Sequence, residues 1–222
     1  EALIAGDALH TLAFQVLLAE ADPPRVTATH RLVSATTAMI AGQAADMALD
    51  DQSVVTLEDC LAMEAAKTGA LLGYASSVGA VLADADPVTV DALDSYGRQL
   101  GLAYQAIDDV LGIWGEPEVT GKPAGNDLRQ RKKSMPVAVV LSAGGTAAAD
   151  LSAVYGGRGT LDDDEVARAA AIIESAGGRE ATLAEAGRRL EAALVSLEGV
   201  ELEPRALREL EEVARFVVER EA

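Results

Sequence analysis

The sequence is poor in aromatic residues, in positive charge and in cysteine, and each scarcity removes a class of protein. Phe, Trp and Tyr make up only 3% of the chain, whereas Ala, Leu and Val abound. Strands draw on aromatic and β-branched side chains and close-packed helices on small and unbranched ones, so an all-α fold is expected. Eighteen Lys and Arg stand against 36 Asp and Glu, a formal net charge of -18. Such a field repels polyanions, which excludes nucleic acid or an anionic membrane bound by general attraction. An anionic ligand would need local lysines or bridging metal ions. Cys60 has no second cysteine to pair with and no zinc cluster around it in the sequence. With no secretory signal in view, a reducing cytoplasmic setting is expected. No uninterrupted apolar run approaches the roughly 18 residues that suggest a membrane span, so no stable membrane insertion is expected.

What is present is a chain of 222 residues, half of them hydrophobic, enough for one large domain with a substantial core. No linker divides it and no repeat period emerges, so residues 1–222 read as a single domain. Apolar residues recur at helical spacing from Ala2 to Glu20, where Asp22-Pro23-Pro24 stops them, and again from about Pro24 to Leu49. After a polar break at 50–53, Thr56-Leu57-Glu58-Asp59 resembles a capping box that opens a helix to about Ala83. A helix is expected from Val88 to Leu111, then an irregular loop from Gly112 to Asp127, then a helix from Arg129 to Leu141 kinked at Pro136. Further helices are expected over roughly 147–155, 162–176, 181–198 and 204–221.

The stretch Gly101 to Pro136 carries most of the chemistry. Asp108 and Asp109 lie near the end of an apolar helix, one turn after Gln105, and residues 105, 108, 109 and 112 share a face at a period of 3.6. Two adjacent acids often mark a solvated helix end. A C-terminal end, however, carries the negative pole of the helix dipole and is a poor place for carboxylates. Carboxylates among apolar residues need a partner, and a hard cation such as Mg²⁺ prefers oxygen ligands and typically bridges protein carboxylates to phosphates. The glycine-rich loop behind them carries Lys122 and Asp127 and is followed by Lys132 and Lys133, which suggests phosphate as the cation's other partner.

Other polar positions have plainer readings. The more acidic run Asp162 to Glu165 precedes a helical pattern, where acids belong, and reads as a capped helix start. Lys67 interrupts an apolar helix and either snorkels to water or, with the Thr68 hydroxyl beside it, contacts phosphate. Gln43 and Asp46 are most simply partners in a helix-to-helix hydrogen bond. His10 and His30 read as ordinary structural or surface residues, and Cys60 as a core or subunit-contact thiol.

Taken in order, Gly6-Asp7-Ala8-Leu9, Gly42-Gln43, Lys67-Thr68, Tyr104-Gln105-x-x-Asp108-Asp109, Gly121-Lys122-Pro123, Gly125-Asn126-Asp127-Leu128 and Lys132-Lys133 form a combination that resembles the trans-isoprenyl diphosphate synthases, or polyprenyl synthetases, over essentially the whole chain. The resemblance implies an all-α antiparallel helical bundle around a central cavity, usually homodimeric. It implies Mg²⁺-assisted ionisation of an allylic diphosphate, attack by isopentenyl diphosphate and loss of a proton, with a C20 product as the leading expectation. It places Asp108 and Asp109 as metal-binding carboxylates of the family's second Asp-rich motif. Lys67, Thr68, Gln105, Lys122 and Lys132 match positions that contact the leaving diphosphate or stabilise its charge, and Asp127 matches an acid that orders the site.

The sequence departs from that pattern in two ways. Gly112 stands where the second Asp-rich motif carries its last Asp. The first Asp-rich motif and the basic residues for isopentenyl diphosphate belong just before Gly6-Asp7, so the expectation is that the chain covers about the last two-thirds of a family member. Two other readings share the helical features: a non-catalytic subunit of a heteromeric synthase, which would not need the polar constellation, and a class I terpene cyclase, which Lys67-Thr68 and Gly121-Lys122-Pro123 fit less well.

Overall fold

The computed structural model describes residues 2–50, 52, 55–121, 123–157 and 159–219, and no strand occurs among them. Among the described residues, twelve α-helices and one π-helical turn follow one another: α1 (Ala2–Leu17), α2 (Pro23–Asp50), α3 (Leu57–Glu64), a π turn (Ala65–Gly69), α4 (Ala70–Leu82), α5 (Pro87–Trp114), α6 (Pro117–Thr120), α7 (Asn126–Arg129), α8 (Met135–Ala143), α9 (Gly145–Tyr155), α10 (Asp163–Ser175), α11 (Gly178–Ser196) and α12 (Pro204–Glu219). The all-α expectation holds.

The bundle is built around α5. Asp86 caps it, accepting from Thr89 N at 3.1 Å, and Pro87 occupies its first turn, where a missing N–H costs nothing. Its C-terminal half is buried on nearly every side, with Ala103, Ala106, Ile107 and Val110 at 0–1% exposure. α4 packs along one flank of α5 and α11 along the other, while Tyr96 Oη donates to Leu210 O at 2.8 Å and ties α12 to it. Below the C-terminal end of α5, Leu49, Met63, Ile107, Leu111 and Met135 join α2, α3, α5 and α8 in one apolar cluster. A second cluster, with Ile113, Leu128, Val140, Leu151 and Ile173, anchors the loop after α5 to α8, α9 and α10.

Several sequence expectations change in the tertiary context. α5 does not stop at Leu111 but continues to Trp114, because Ile113 is buried and Gly115 N donates to Leu111 O at 2.8 Å. The segment 112–127 is not wholly irregular: it ends α5 and holds the short helices α6 and α7. Pro136 does not kink a helix running from Arg129, because the chain turns at 130–134 and α8 starts at Met135, which puts Pro136 in a first turn. The predicted caps form as read: Thr56 and Asp59 make a reciprocal capping box, as do Asp162 and Glu165. Cys60 is fully buried in the core.

The π turn at Ala65–Gly69 breaks what reads in sequence as one continuous helix. There Lys67 pairs with Asp46 of α2 and Thr68 with Gln105 of α5, and π turns are frequent at functional sites. α2 reaches this turn backbone to backbone at Gly42, where a Cβ would lie 2.3 Å from Lys67 N. Only glycine permits that approach.

Candidate active site at the C-terminal end of α5

Asp108 and Asp109 are adjacent in sequence but face different surroundings. Asp109 is 3% exposed and spends both carboxylate oxygens on protein donors. Its Oδ1 accepts from Gln105 Nε2 at 2.9 Å and its Oδ2 from the Met135 backbone N–H at 2.7 Å. Burial pushes its pKa up to about 6, against those two donors and Lys132, which favour the charged form. Asp108, one residue earlier, is half-buried and opens to the solvent side.

Beneath Asp109 lies a buried acid. Glu64 is fully buried, and burial, reinforced by Asp109, pushes its pKa up to about 9. Cys60 Sγ donates to Glu64 Oε1 at 3.2 Å, and burial holds that thiol protonated. The ligand atoms of Cys60, Glu64 and Asp109 lie within 4.8 Å of one another. A thiol and a carboxyl kept neutral by burial are poor cation ligands, since metals take the deprotonated forms. This cluster supports Asp109 from below and leaves the open side to Asp108.

Four chain segments converge on that open side. Asp46 of α2 pairs with Lys67 of the π turn at 2.5 Å, so the expected helix-to-helix partner of Asp46 is this lysine, while Gln43 stays exposed. Thr68 Oγ1 donates to Gln105 Oε1 at 3.2 Å. Gln105 therefore bridges Thr68 to Asp109 with the two ends of one amide, and its immediate effect is to orient both. From the loop after α5, Asp127 is 7% exposed and lies 3.7 Å from Lys132 Nζ. Burial alone would lower the Lys132 pKa, but Asp127, Asp109, Asp46 and Asp108 together outweigh it, and the net shift is upward. Lys132 is a permanent cation set among four carboxylates.

The backbone of this turn is strained to bring Lys132 there. Arg131 has φ +56°, a left-handed conformation that is uncommon outside glycine. Lys132 N donates back to Asp127 O at 2.9 Å, and the Arg131 guanidinium fixes the reversal through Val154 O and Gly159 O, each at 2.7 Å. Nothing in the sequence pattern singles out Arg131, whose importance arises from backbone conformation alone. Lys133, next in sequence, turns the other way: its Nζ donates to Leu49 O at 3.1 Å, Asp50 O at 3.0 Å and Gln52 O, holding the C-terminal carbonyls of α2. Lys122 lies outside the described residues.

The donor set suits a hard divalent cation and the anion it would carry. Asp46, Asp108 and Asp127 offer oxygen only, the ligand type Mg²⁺ takes, and Lys67 and Lys132 stand beside them as fixed positive charges. No helix among the described residues is long and apolar enough to cross a membrane.

Known proteins resemble this chain over most of its length. A family model described as polyprenyl synthetase matches residues 1–173. Over 225 aligned positions the chain is 44% identical to a (2E,6E)-farnesyl diphosphate synthase of Mycobacterium tuberculosis, covering 100% of this chain and 62% of that protein. It is 41% identical over 197 positions to a geranylgeranyl diphosphate synthase of the same organism, covering 88% of this chain and 56% of that protein. Among solved structures, a polyprenyl synthetase from Streptomyces coelicolor A3(2) superposes with a TM-score of 0.90 at 45% identity, over 97% of this chain and 66% of that one. The chain thus spans a little under two-thirds of the length of these relatives.

Proposed function

The chain belongs to the polyprenyl synthetase family, and from that premise we propose that the protein is a trans-prenyltransferase joining isopentenyl diphosphate to an allylic diphosphate. The observation that carries the reading is the convergence of Asp46, Lys67, Thr68, Gln105, Asp108, Asp127 and Lys132 from separate segments on the C-terminal end of α5.

Breaking the bond between an allylic carbon and its diphosphate leaves negative charge on the departing group. Lys67 and Lys132, already held by carboxylates, meet that charge without reorganising at the moment of reaction. Asp108 would hold Mg²⁺, which would supply charge neutralisation for the departing diphosphate. Asp108 is the member of the Asp pair placed to contact the ion, whereas Asp109, held by Gln105 and Met135, fixes the local geometry. Thr68, oriented by Gln105, and Lys122 complete the diphosphate contacts. Isopentenyl diphosphate then attacks the allylic cation and a proton is lost, giving a longer allylic diphosphate.

Two of the relatives are named farnesyl and geranylgeranyl diphosphate synthases, and we propose a short-chain product, C15 or C20. α1 exposes Leu3, Ile4, Leu9, Leu12 and Val16, and that apolar row supports a homodimer. The acidic surface and the lone buried cysteine support a cytoplasmic protein without nucleic-acid partners.

The test is to incubate the protein encoded by the complete gene with Mg²⁺, isopentenyl diphosphate and each allylic diphosphate in turn. Chain-extended diphosphates are expected. Ionisation of the allylic substrate with no isopentenyl incorporation would instead favour a terpene cyclase, and no reaction at all a non-catalytic subunit.

A further inference from the structure

The last turn of α2 leaves backbone carbonyls without helical partners, and a lysine from another segment reaches them. Lys133 Nζ donates to Leu49 O at 3.1 Å, to Asp50 O at 3.0 Å and to Gln52 O. An ammonium has three N–H donors, and here three carbonyls meet it. The Lys133 backbone N–H also bonds the Asp50 carboxylate, so the residue grips the end of α2 with both its side chain and its main chain. Backbone carbonyls converging on one cation are the donor set that replaces the hydration shell of a monovalent ion such as K⁺. Lys133 places a tethered ammonium, close to K⁺ in size, at that point.

This grip lies between segments that form the candidate site. Asp46 sits one turn before the end of α2 and pairs with Lys67, while Lys132 precedes Lys133 in the chain. Lys132 interacts by charge with both Asp46 and Asp50. Two residues after Lys133, the Met135 N–H holds Asp109. Leu49 and Met135 share an apolar cluster that joins the same two segments, but apolar packing is non-directional and does not fix their register. Resting on the site reading above, we propose that Lys133 is a positioning residue whose ammonium takes the place of a bound monovalent cation, setting α2, and with it Asp46, against the loop that carries Lys132. The carbonyl cage at Leu49, Asp50 and Gln52 is therefore a latent site for K⁺ or NH₄⁺, open to them once the lysine side chain is removed.

The experiment uses the complete protein in potassium, ammonium or choline chloride at about 0.1 M, where equal ionic strength gives equal screening. Melting temperature reads the cage. Mn²⁺ binding in the presence of inorganic pyrophosphate, followed by electron paramagnetic resonance, reads the site. In choline chloride, Lys133→Ala is expected to melt at least about 2 °C below wild type and to bind Mn²⁺ about 10-fold more weakly, the scale seen when a group supporting a metal site is lost. K⁺ or NH₄⁺ is expected to recover both in Lys133→Ala, relative to wild type in the same salt. Lys133→Met keeps the aliphatic stem, blocks the cage and is expected to show both losses without recovery. Equal melting of Lys133→Ala in K⁺ and in choline, failure of that variant to fold in every salt, or equal recovery by Lys133→Met would overturn the cage. Wild-type Mn²⁺ binding by Lys133→Met would overturn the positioning role. Wild-type binding by Asp108→Asn would instead overturn the metal-site reading, on which the melting data do not depend.

Discussion

Asp109 Oδ2 accepts a 2.7 Å hydrogen bond from the backbone N–H of Met135. Met135 is the first residue of α8, so the carboxylate meets the positive end of a helix and satisfies one of its orphan N–H groups. The same bond joins the two segments on which the site depends. Asp109 is thereby a fastening between helices, whereas Asp108 is half-buried and acts on Lys132 by charge.

On the proposed function, Asp108 is the residue whose loss falls on chemistry alone. Asp108→Ala is expected to lower turnover at least about 10²-fold while leaving the thermal midpoint close to wild type, the scale that follows loss of preorganised charge stabilisation. Steady-state kinetics and a melting curve on the same preparation check both halves. Near-normal turnover would reject the assignment.

Gln105 links Thr68 to Asp109 through its amide. Gln105→Leu keeps the volume but leaves a buried carboxylate oxygen without its donor, which costs about 1–3 kcal/mol. Denaturant unfolding should show that loss, and the Asp109 pKa should move further above its present value of about 6 because a donor favouring the charged form is gone.

Gly42 sets how closely α2 approaches the π turn. Gly42→Ala places a Cβ against the Lys67 backbone with no flexible side chain to yield. The expected loss is about 1–3 kcal/mol, as for overpacking elsewhere, together with a wider separation of Asp46 from Lys67. A crystal structure of the variant retaining the 2.5 Å Asp46–Lys67 contact would contradict this.

Glu64 gives the fold a pH dependence of definite sign. Its folded pKa, about 9, lies above its unfolded value, so its contribution to stability is fully present below about pH 4.5 and is lost as pH rises towards 9. Glu64→Gln removes the titrating group. The melting temperature of the variant minus that of wild type should therefore increase steadily between pH 5 and 9, by up to about 1.4 kcal/mol of stability per pH unit. A difference independent of pH would show that Glu64 does not carry the proton assigned to it.

The amino-acid sequence by itself determined the all-α class, most of the helices and the set of polar side chains that gather in the site. Small and unbranched apolar residues at helical spacing dictate an all-α chain, because that periodicity leaves each segment one face to bury. The caps at Thr56 and Asp162 were legible because capping is local and depends on residues three apart. The grouping of Lys67, Thr68, Gln105, Asp108, Asp109, Asp127 and Lys132 was legible as a set, since charged and amide side chains stand out against apolar helices.

The tertiary structure decided how that set divides, because burial, approach and backbone strain depend on what packs against each residue. Asp108 and Asp109 are identical in type and neighbours in sequence, yet only Asp109 meets α8 and Glu64. Lys132 and Lys133 are likewise adjacent, yet the left-handed Arg131 sends one to Asp127 and leaves the other to the carbonyls that end α2. At Gly112 the sequence shows a glycine inside a helix. Only the folded chain shows the Asp127 carboxylate filling the space a side chain there would take, brought there by a loop whose path no local pattern encodes.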